Sequence, residues 1–296
     1  MKGEVSLDKL AEEAAKYGTR RAYNLAHDYV KFADGDVEED LFSFRKFENY
    51  WDYNDITTWK VIKRHLAEVQ PRKVLDIGCG AGSWSLRIAH DFPEVKVVGI
   101  DYSSGQIDRA LELMQTHNFD YRVEFHVADA TALPFGDNEF DVSICLHDVL
   151  NHIQDYKKAV KEIMRVTSKL NITSVHGLYG PPTFFVRSKE SITTCEKDGN
   201  IVRFEDEDGE GYEVYFKRFS SGELKDGFAG HGEIVDCLGI DIFCYKSFDG
   251  HEMDYTSVFP HFDQLERNCR RELPFIDFAK HIMIVSRPLD GSGKNL

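Results

Sequence analysis

Residues 74–82, Val-Leu-Asp-Ile-Gly-Cys-Gly-Ala-Gly, constrain this chain more than any other stretch. An apolar run from Val74 to Ile77, broken by one acid, Asp76, leads into glycines at alternate positions, Gly78, Gly80 and Gly82. Such a run suits a strand buried in a parallel sheet, where the in/out alternation of exposed sheets is lost. The glycines remove side chains where the chain turns into a helix expected over 83–92. A ligand can then lie on the backbone, near the N–H groups and positive end of that helix. The pattern predicts a site for a nucleoside-like cofactor.

A dinucleotide site is the obvious rival. Its fingerprint places glycines first, third and sixth, the last for close helix–strand packing. Here Gly78 and Gly80 fill the first and third places, but Ser83 stands sixth and Gly82 fifth. An acid just before the turn, Asp76, would also repel phosphates. It suits a cofactor that carries positive charge, such as an ammonium or a sulfonium.

Three further runs follow. Residues 95–101 form an apolar strand ending in Asp101, near the spacing at which a carboxylate meets ribose hydroxyls. A carboxylate accepts two hydrogen bonds side by side, which a vicinal diol donates. Residues 123–130 give a strand followed by Asp129, and 140–146 a fourth strand. Acids after successive parallel strands gather on the carboxyl edge, where open α/β sheets bind ligands. Each also has a plainer role. A glycine after a strand is often only a turn, and an Asp there is often a helix N-cap, as Asp101 would be ahead of Ser103 and Ser104.

Taken together, VLDIGCGAG (74–82), VVGIDYS (97–103), VADATALPF (127–135) and FDVSICLHDVLNHI (140–153) resemble the class I S-adenosylmethionine-dependent methyltransferases of the small-molecule type. The resemblance is strong over about 73–166 and weaker toward the end of the chain. It implies an α/β fold with a Rossmann-like sheet of seven strands, the last antiparallel, and helices on both faces. S-adenosylmethionine is the cofactor it implies. Gly78, with Cys79 and Gly80, would touch the cofactor's amino-acid part, and Asp76 would face its ammonium. Asp101, with Tyr102 and Gln106, would hold the ribose. Asp129 and Ala130 would read the adenine, and Leu146 and His147 would line the cofactor. Family members precede strand five with a Leu-x-Pro-Gly-Gly turn. Here 167–171 reads Thr-Ser-Lys-Leu-Asn, so a different local geometry is expected.

Composition narrows the function classes. The formal charge of −15 opposes sequence-independent binding to nucleic acid, which needs many Lys/Arg contacts to phosphate. It favours a neutral or cationic small substrate, although a solvated acidic surface explains it too. No apolar run is long enough for a membrane span. The polar N-terminus is unlike a signal peptide, and six cysteines without a Cys-x-x-Cys pair fit reduced, cytoplasmic use. No metal site is expected: the twelve histidines show no ligand spacing, and His147 with His152 is the nearest approach to one. The acidic run 205–210 lacks an EF-hand ligand ladder and reads as a hairpin turn. A homodimer is compatible with this reading.

The chain divides into a helical N-terminal cover over 1–70, a cofactor-binding core over 71–178, a substrate-side insertion over 179–218, a closing part over 219–290 and a disordered tail over 291–296. The cover holds helices over about 7–18, 21–32 and 56–69. Between the last two lies an aperiodic aromatic stretch, from which Tyr50, Trp51, Tyr53 and Arg45 are candidates for a lid; packing over a core is the equal alternative. The insertion reads as a β-hairpin, 201–204 with 212–216. Further helices are expected over 104–118, 156–167, 220–228 and 257–271, with strands five to seven over 172–178, 233–245 and 280–286.

Methyl transfer from a sulfonium is an in-line displacement that rests mainly on positioning. A base is needed only where the nucleophile arrives protonated. His147, Asp148, Asn151 and His152 follow strand four, and the resemblance places that loop near the transferred methyl. His152 is the first candidate for a general base, since histidine titrates near neutral pH. Asp148 and His147 are further candidates, set against the plainer reading that His152 packs its helix and Asp148 caps it.

Overall fold

The computed structural model describes residues 50–119, 121–180, 201–205, 211–243 and 255–289. The two earlier expected helices, Arg45 and the C-terminal tail lie outside the described residues. Helix α1 (Tyr50–Val69) leads into β1 (Lys73–Ile77), α2 (Ser83–Asp91), β2 (Lys96–Asp101), α3 (Ser104–Thr116), β3 (Val123–Val127) and β4 (Phe140–Cys145). A short 3-10 turn (Leu150–His152), α4 (Tyr156–Val166) and β5 (Thr167–His176) follow. Then come the hairpin β6 (Ile201–Glu205) and β7 (Gly211–Tyr215), α5 (Ser221–Phe228), β8 (Gly232–Ile240), α6 (Tyr255–Cys269), α7 (Phe275–Phe278) and β9 (His281–Pro288).

The main sheet has seven strands in the order β3-β2-β1-β4-β5-β9-β8. The first five are parallel, and β9 runs antiparallel to both β5 and β8. Strand order reverses between β1 and β4, which opens a crevice at their carboxyl ends. Neighbouring residues of one strand serve opposite faces. Val74 joins a core built with Trp59, Ile62 and Leu66 of α1, Leu86 of α2 and Ala110 of α3. Leu75 and Ile77 join a second core with Val160 and Ile163 of α4 and Phe228 of α5. Helices therefore cover both faces, as the apolar runs of β1 and β2 require. Asp141 of β4 ties the start of β1 down, accepting N–H bonds from Arg72 at 2.7 Å and Lys73 at 3.2 Å.

The stretch 167–171 is strand, not turn. Helix α4 ends at Val166 and β5 begins at the next residue, several positions before the expected start of strand five. Polar side chains make this possible because the sheet itself satisfies them. The Thr167 hydroxyl donates to the Ile163 carbonyl at 2.6 Å, and Asn171 donates to Ser143 Oγ at 2.9 Å. Thr173 donates to Asn171 Oδ1 at 2.8 Å. A buried, saturated polar ladder replaces the loop.

The hairpin forms with Ile201 opposite Tyr215 and stands outside the main sheet. No described helix is long and apolar enough to cross a membrane.

Helix α6 is joined to the end of β8 by a carboxylate. Glu266 is fully buried, and its oxygens accept N–H bonds from Asp241 (3.2 Å), Ile242 (2.6 Å) and Phe243 (3.2 Å). Removing it strands three backbone donors. Glu266→Ala is expected to lower unfolding free energy in urea by about 3 kcal/mol, and Glu266→Gln, which keeps an acceptor, by less than half of that. Equal losses for the two would mean that charge, rather than donor satisfaction, holds the join.

Candidate active site

All three loop glycines have positive φ: 70° at Gly78, 54° at Gly80 and 86° at Gly82. They serve different ends. A Cβ on Gly78 would run into the Val149 side chain, and one on Gly82 would meet the Phe125 ring at 2.6 Å and Ala110 at 3.1 Å. These two let the loop pack against its neighbours. At Gly80 a Cβ would meet only Gln106 Oε1, at an ordinary contact distance of 3.7 Å, so this glycine is the least crowded of the three. The absence of a side chain there leaves room for a ligand to approach the backbone. Gly82 sits at the N-cap of α2 and has no side chain to close the helix's first N–H groups.

The acids separate in the same way. The Asp101 carboxylate accepts the Gly80 N–H at 2.9 Å through Oδ2 and the Ser103 N–H at 2.8 Å through Oδ1. Ser103, not Asp101, caps α3, by accepting from Gln106 N–H at 3.2 Å. Burial raises the Asp101 pKa against those backbone bonds. Asp129 accepts the backbone N–H and the hydroxyl of Thr131, both at 2.8 Å, through one oxygen, Oδ1. This shapes the bend after β3, with Ala130 half-buried beside it. Tyr102 is half-buried, whereas Gln106, Cys79 and Leu146 are buried.

Asp76 is 2% exposed and accepts the Ser85 hydroxyl at 2.6 Å. Burial pushes its pKa up to about 7. A carboxylate removed from water in this way calls for a cation, such as an ammonium, to stabilise its ionised form. The bare edge at Gly80, the fixed Asp101 and the buried Asp76 together fit a cofactor with a diol and a positive charge.

On the other side of the crevice lies the loop after β4. His147 has φ 57°, an uncommon setting for a residue with a side chain. Its N–H donates to Ser174 Oγ at 2.7 Å, its ring stacks 5.7 Å from Trp84, and its Nε2 lies 3.8 Å from Asp55 Oδ1. Asp148 caps no helix: the 3-10 turn has Val149 at its N-cap and α4 has Asp155. Instead Asp148 Oδ1 lies 3.5 Å from His176 Nδ1 and 3.7 Å from His281 Nε2. His152 Nδ1 lies 2.9 Å from the Tyr215 carbonyl. A carbonyl only accepts, so Nδ1–H donates and Nε2 of the neutral ring carries the lone pair. Burial lowers the His152 pKa, and the Phe216 ring packs 5.1 Å away. Asn151 braces this loop, accepting the His176 N–H at 3.0 Å and donating to the Lys217 carbonyl.

Of the lid candidates, Tyr53 is 1% exposed, and its neighbours are Glu266, Asp263 and Asp241. This is a packing position that anchors α1. Tyr50 and Trp51 open α1, but their side chains, like Arg45, lie outside the described residues. His176 and His281 had no place among the sequence candidates. His281 opens its strand rather than ending it, and because β9 is antiparallel that end meets the carboxyl edge of the parallel strands. A search confined to strand ends passes over it.

Residues 74–169 match the family model of a methyltransferase domain. The glycine loop and its acids, Asp76, Asp101 and Asp129, lie inside the matched stretch. Ajmaline N-methyltransferase of Rauvolfia serpentina is 34% identical over 101 residues, 34% of each chain. The 27-O-demethylrifamycin SV methyltransferase of Amycolatopsis mediterranei is 34% identical over 145 residues, 47% of this chain and 52% of that one. The chain thus spans about a third to a half of the length of these curated relatives. The crystal structure of the [4+2]-cyclase SpnF superposes with a TM-score of 0.59 at 17% identity, covering 93% of this chain and 96% of that one, which shows the fold alone.

The position of Asp76 makes donor binding depend on pH. Only its ionised form would attract a cationic group, so affinity for such a ligand should be weak below its pKa and strong above it. Calorimetry with the demethylated cofactor is expected to show affinity rising up to tenfold per unit between about pH 5.5 and 7, then levelling. Asp76→Asn should flatten the profile. A slope that survives in the variant would assign it to another group.

Proposed function

We propose that this chain transfers the methyl group of S-adenosylmethionine to an oxygen or nitrogen atom of a small metabolite or natural product. The observation that carries the reading is the bare edge at Gly80, flanked by Asp101 and the buried Asp76, within the stretch that matches the family model. The names of the two curated relatives, a methyltransferase of ajmaline and one of 27-O-demethylrifamycin SV, favour a small acceptor. The structural likeness to a cyclase shows that the fold alone does not choose the chemistry.

In this reading the side-chain-free backbone of Gly78 and Gly80 lets the amino-acid end of the cofactor lie close to the loop, near Cys79. Asp101, with Tyr102 and Gln106, holds the ribose, and Asp129 with Ala130 reads the adenine. Leu146 and His147 line the cofactor. S-adenosylmethionine supplies an electrophilic methyl when bound. The acceptor atom attacks its carbon, and the carbon–sulfur pair leaves on sulfur. His152 takes the acceptor's proton at Nε2, while its Nδ1–H stays on the Tyr215 carbonyl. The net charge of −15 disfavours an RNA acceptor. A cytoplasmic location and a homodimeric assembly belong to the same proposal.

Calorimetry with S-adenosylmethionine and S-adenosylhomocysteine is expected to show one site per chain, and absence of binding to both would refute the reading. Asp101→Ala should leave the circular dichroism unchanged and abolish that binding; wild-type affinity would remove Asp101 from the ribose. Cofactor-consumption screening against a metabolite panel would reveal the acceptor. With that acceptor, His152→Gln should lower kcat by about 10²–10⁴-fold and leave cofactor affinity intact. An unchanged kcat would leave His152 a packing residue.

A further inference from the structure

Where β5 meets β9, three side chains converge that the cofactor loop does not use. His176 and His281 are direct partners across the antiparallel ladder, so their side chains share one face of the sheet. Their rings meet edge to face at 5.3 Å. Asp148 enters from the loop after β4, with Oδ1 at 3.5 and 3.7 Å from the two rings' nitrogens. The Asp148 side chain as a whole is 33% exposed, yet Oδ1 itself is buried and has no hydrogen-bond partner among the described residues.

These distances are too long for charge-assisted hydrogen bonds, which close to about 2.7–2.9 Å. They suit ligands around a common centre. One atom from each residue lies within 4.8 Å of the others. A metal ion bound at about 2.0–2.2 Å by imidazole and carboxylate needs only a small contraction of that triangle.

The outer contacts are those of a ligand set. Asn54 of α1 lies with Nδ2 2.8 Å from His281 Nδ1, which leaves Nε2 turned toward Asp148. Turning the amide over would offer its oxygen to an Nδ1–H, the partner that metal-bound imidazoles usually keep. The Phe216 ring packs 5.7 Å from His176.

We propose that Asp148, His176 and His281 bind one divalent transition-metal ion, of the Zn²⁺ kind, as a two-histidine, one-carboxylate set with coordination positions left for an oxygen ligand. The set fits zinc, iron or cobalt better than magnesium, whose preference is for oxygen alone. The ion's catalytic role, unlike its binding, rests on the methyl-transfer reading. There it selects an acceptor that carries a hydroxyl. The metal draws the hydroxyl oxygen in and lowers its pKa, and the proton leaves to His152. The oxygen then forms its bond to the methyl carbon as the carbon–sulfur pair departs on sulfur.

The test uses the full chain, stripped with a chelator and titrated with Co²⁺ by visible absorption and with Zn²⁺ by calorimetry. One ion per chain, bound in the micromolar range or tighter, is expected. Asp148→Asn and His281→Ala should each weaken binding at least 100-fold, and Asn54→Ala about 10–100-fold, as for other outer-shell partners. Should His281→Ala not fold, Asp148→Asn decides, since it keeps the shape and removes the charge. The proposal is overturned if wild-type protein takes up no ion, or if Asp148→Asn binds as tightly as wild type. S-adenosylhomocysteine calorimetry on the same samples separates the two readings. Cofactor binding without metal uptake rejects the metal site alone, and metal uptake without cofactor binding rejects methyl transfer alone.

Discussion

One carbonyl organises the cofactor side of this molecule. The Ile100 oxygen accepts the N–H of Gly78 at 2.7 Å and of Cys79 at 2.9 Å, and the next residue, Asp101, takes the N–H of Gly80. Three successive backbone donors of the loop are thereby fixed to the end of the neighbouring strand. The chain can make that turn only with positive φ, and so only cheaply with glycine. Everything downstream inherits the geometry: the entry into α2, the burial of Asp76 beneath Ser85, and the contact of Gly78 with Val149 that brings the loop after β4 alongside. Hydrogen bonds fix the loop to the end of β2, and its packing against the Val149 side chain sets the other half of the crevice beside it.

The glycine-loop half of the crevice was legible in the sequence because its signals are local. The strands β1 and β2 are mostly apolar, and Asp76, Asp101 and Asp129 lie at or near the carboxyl ends of β1, β2 and β3, so order along the chain maps onto order along an edge. The N-cap alternative for Asp101 was also open on sequence alone, and only the Ser103–Gln106 bond excludes it. The start of β5 was not legible. Thr, Ser, Lys and Asn normally signal a turn, and here they form a strand because Ser143 across the ladder, and the α4 carbonyl of Ile163, satisfy them. A partner distant in sequence overrode local propensity. The histidine cluster escaped for a related reason. Its members come from a loop, a strand end and a strand start, and no spacing rule joins them.

The two sides of the crevice differ in kind. Asp76, Asp101 and Asp129 are carboxylates held by hydroxyls and backbone N–H groups, an environment that favours a cationic, hydroxylated ligand. Across from them His147, His152, His176 and His281 bring imidazoles, with lone pairs fixed by a carbonyl in one case and an amide in another. Burial keeps two of these rings, His152 and His281, from charging readily, so this wall offers neutral lone pairs instead of charges that bind anions. The crevice therefore has one acidic side suited to a cationic ligand and one side of neutral rings.

The last described strand is not at the margin of the sheet. β9 lies between β5 and β8, so those two strands are bridged only once it inserts. Until then each presents an unpaired edge, the feature most prone to recruit strands from other chains. The same insertion delivers His281 and completes its pairing with His176. A chain cut short before residue 281 would keep the glycine loop and the acids, yet expose two sticky edges and lack one wall of its crevice. In this fold, completion of the histidine wall and protection of the sheet edges come with the same strand.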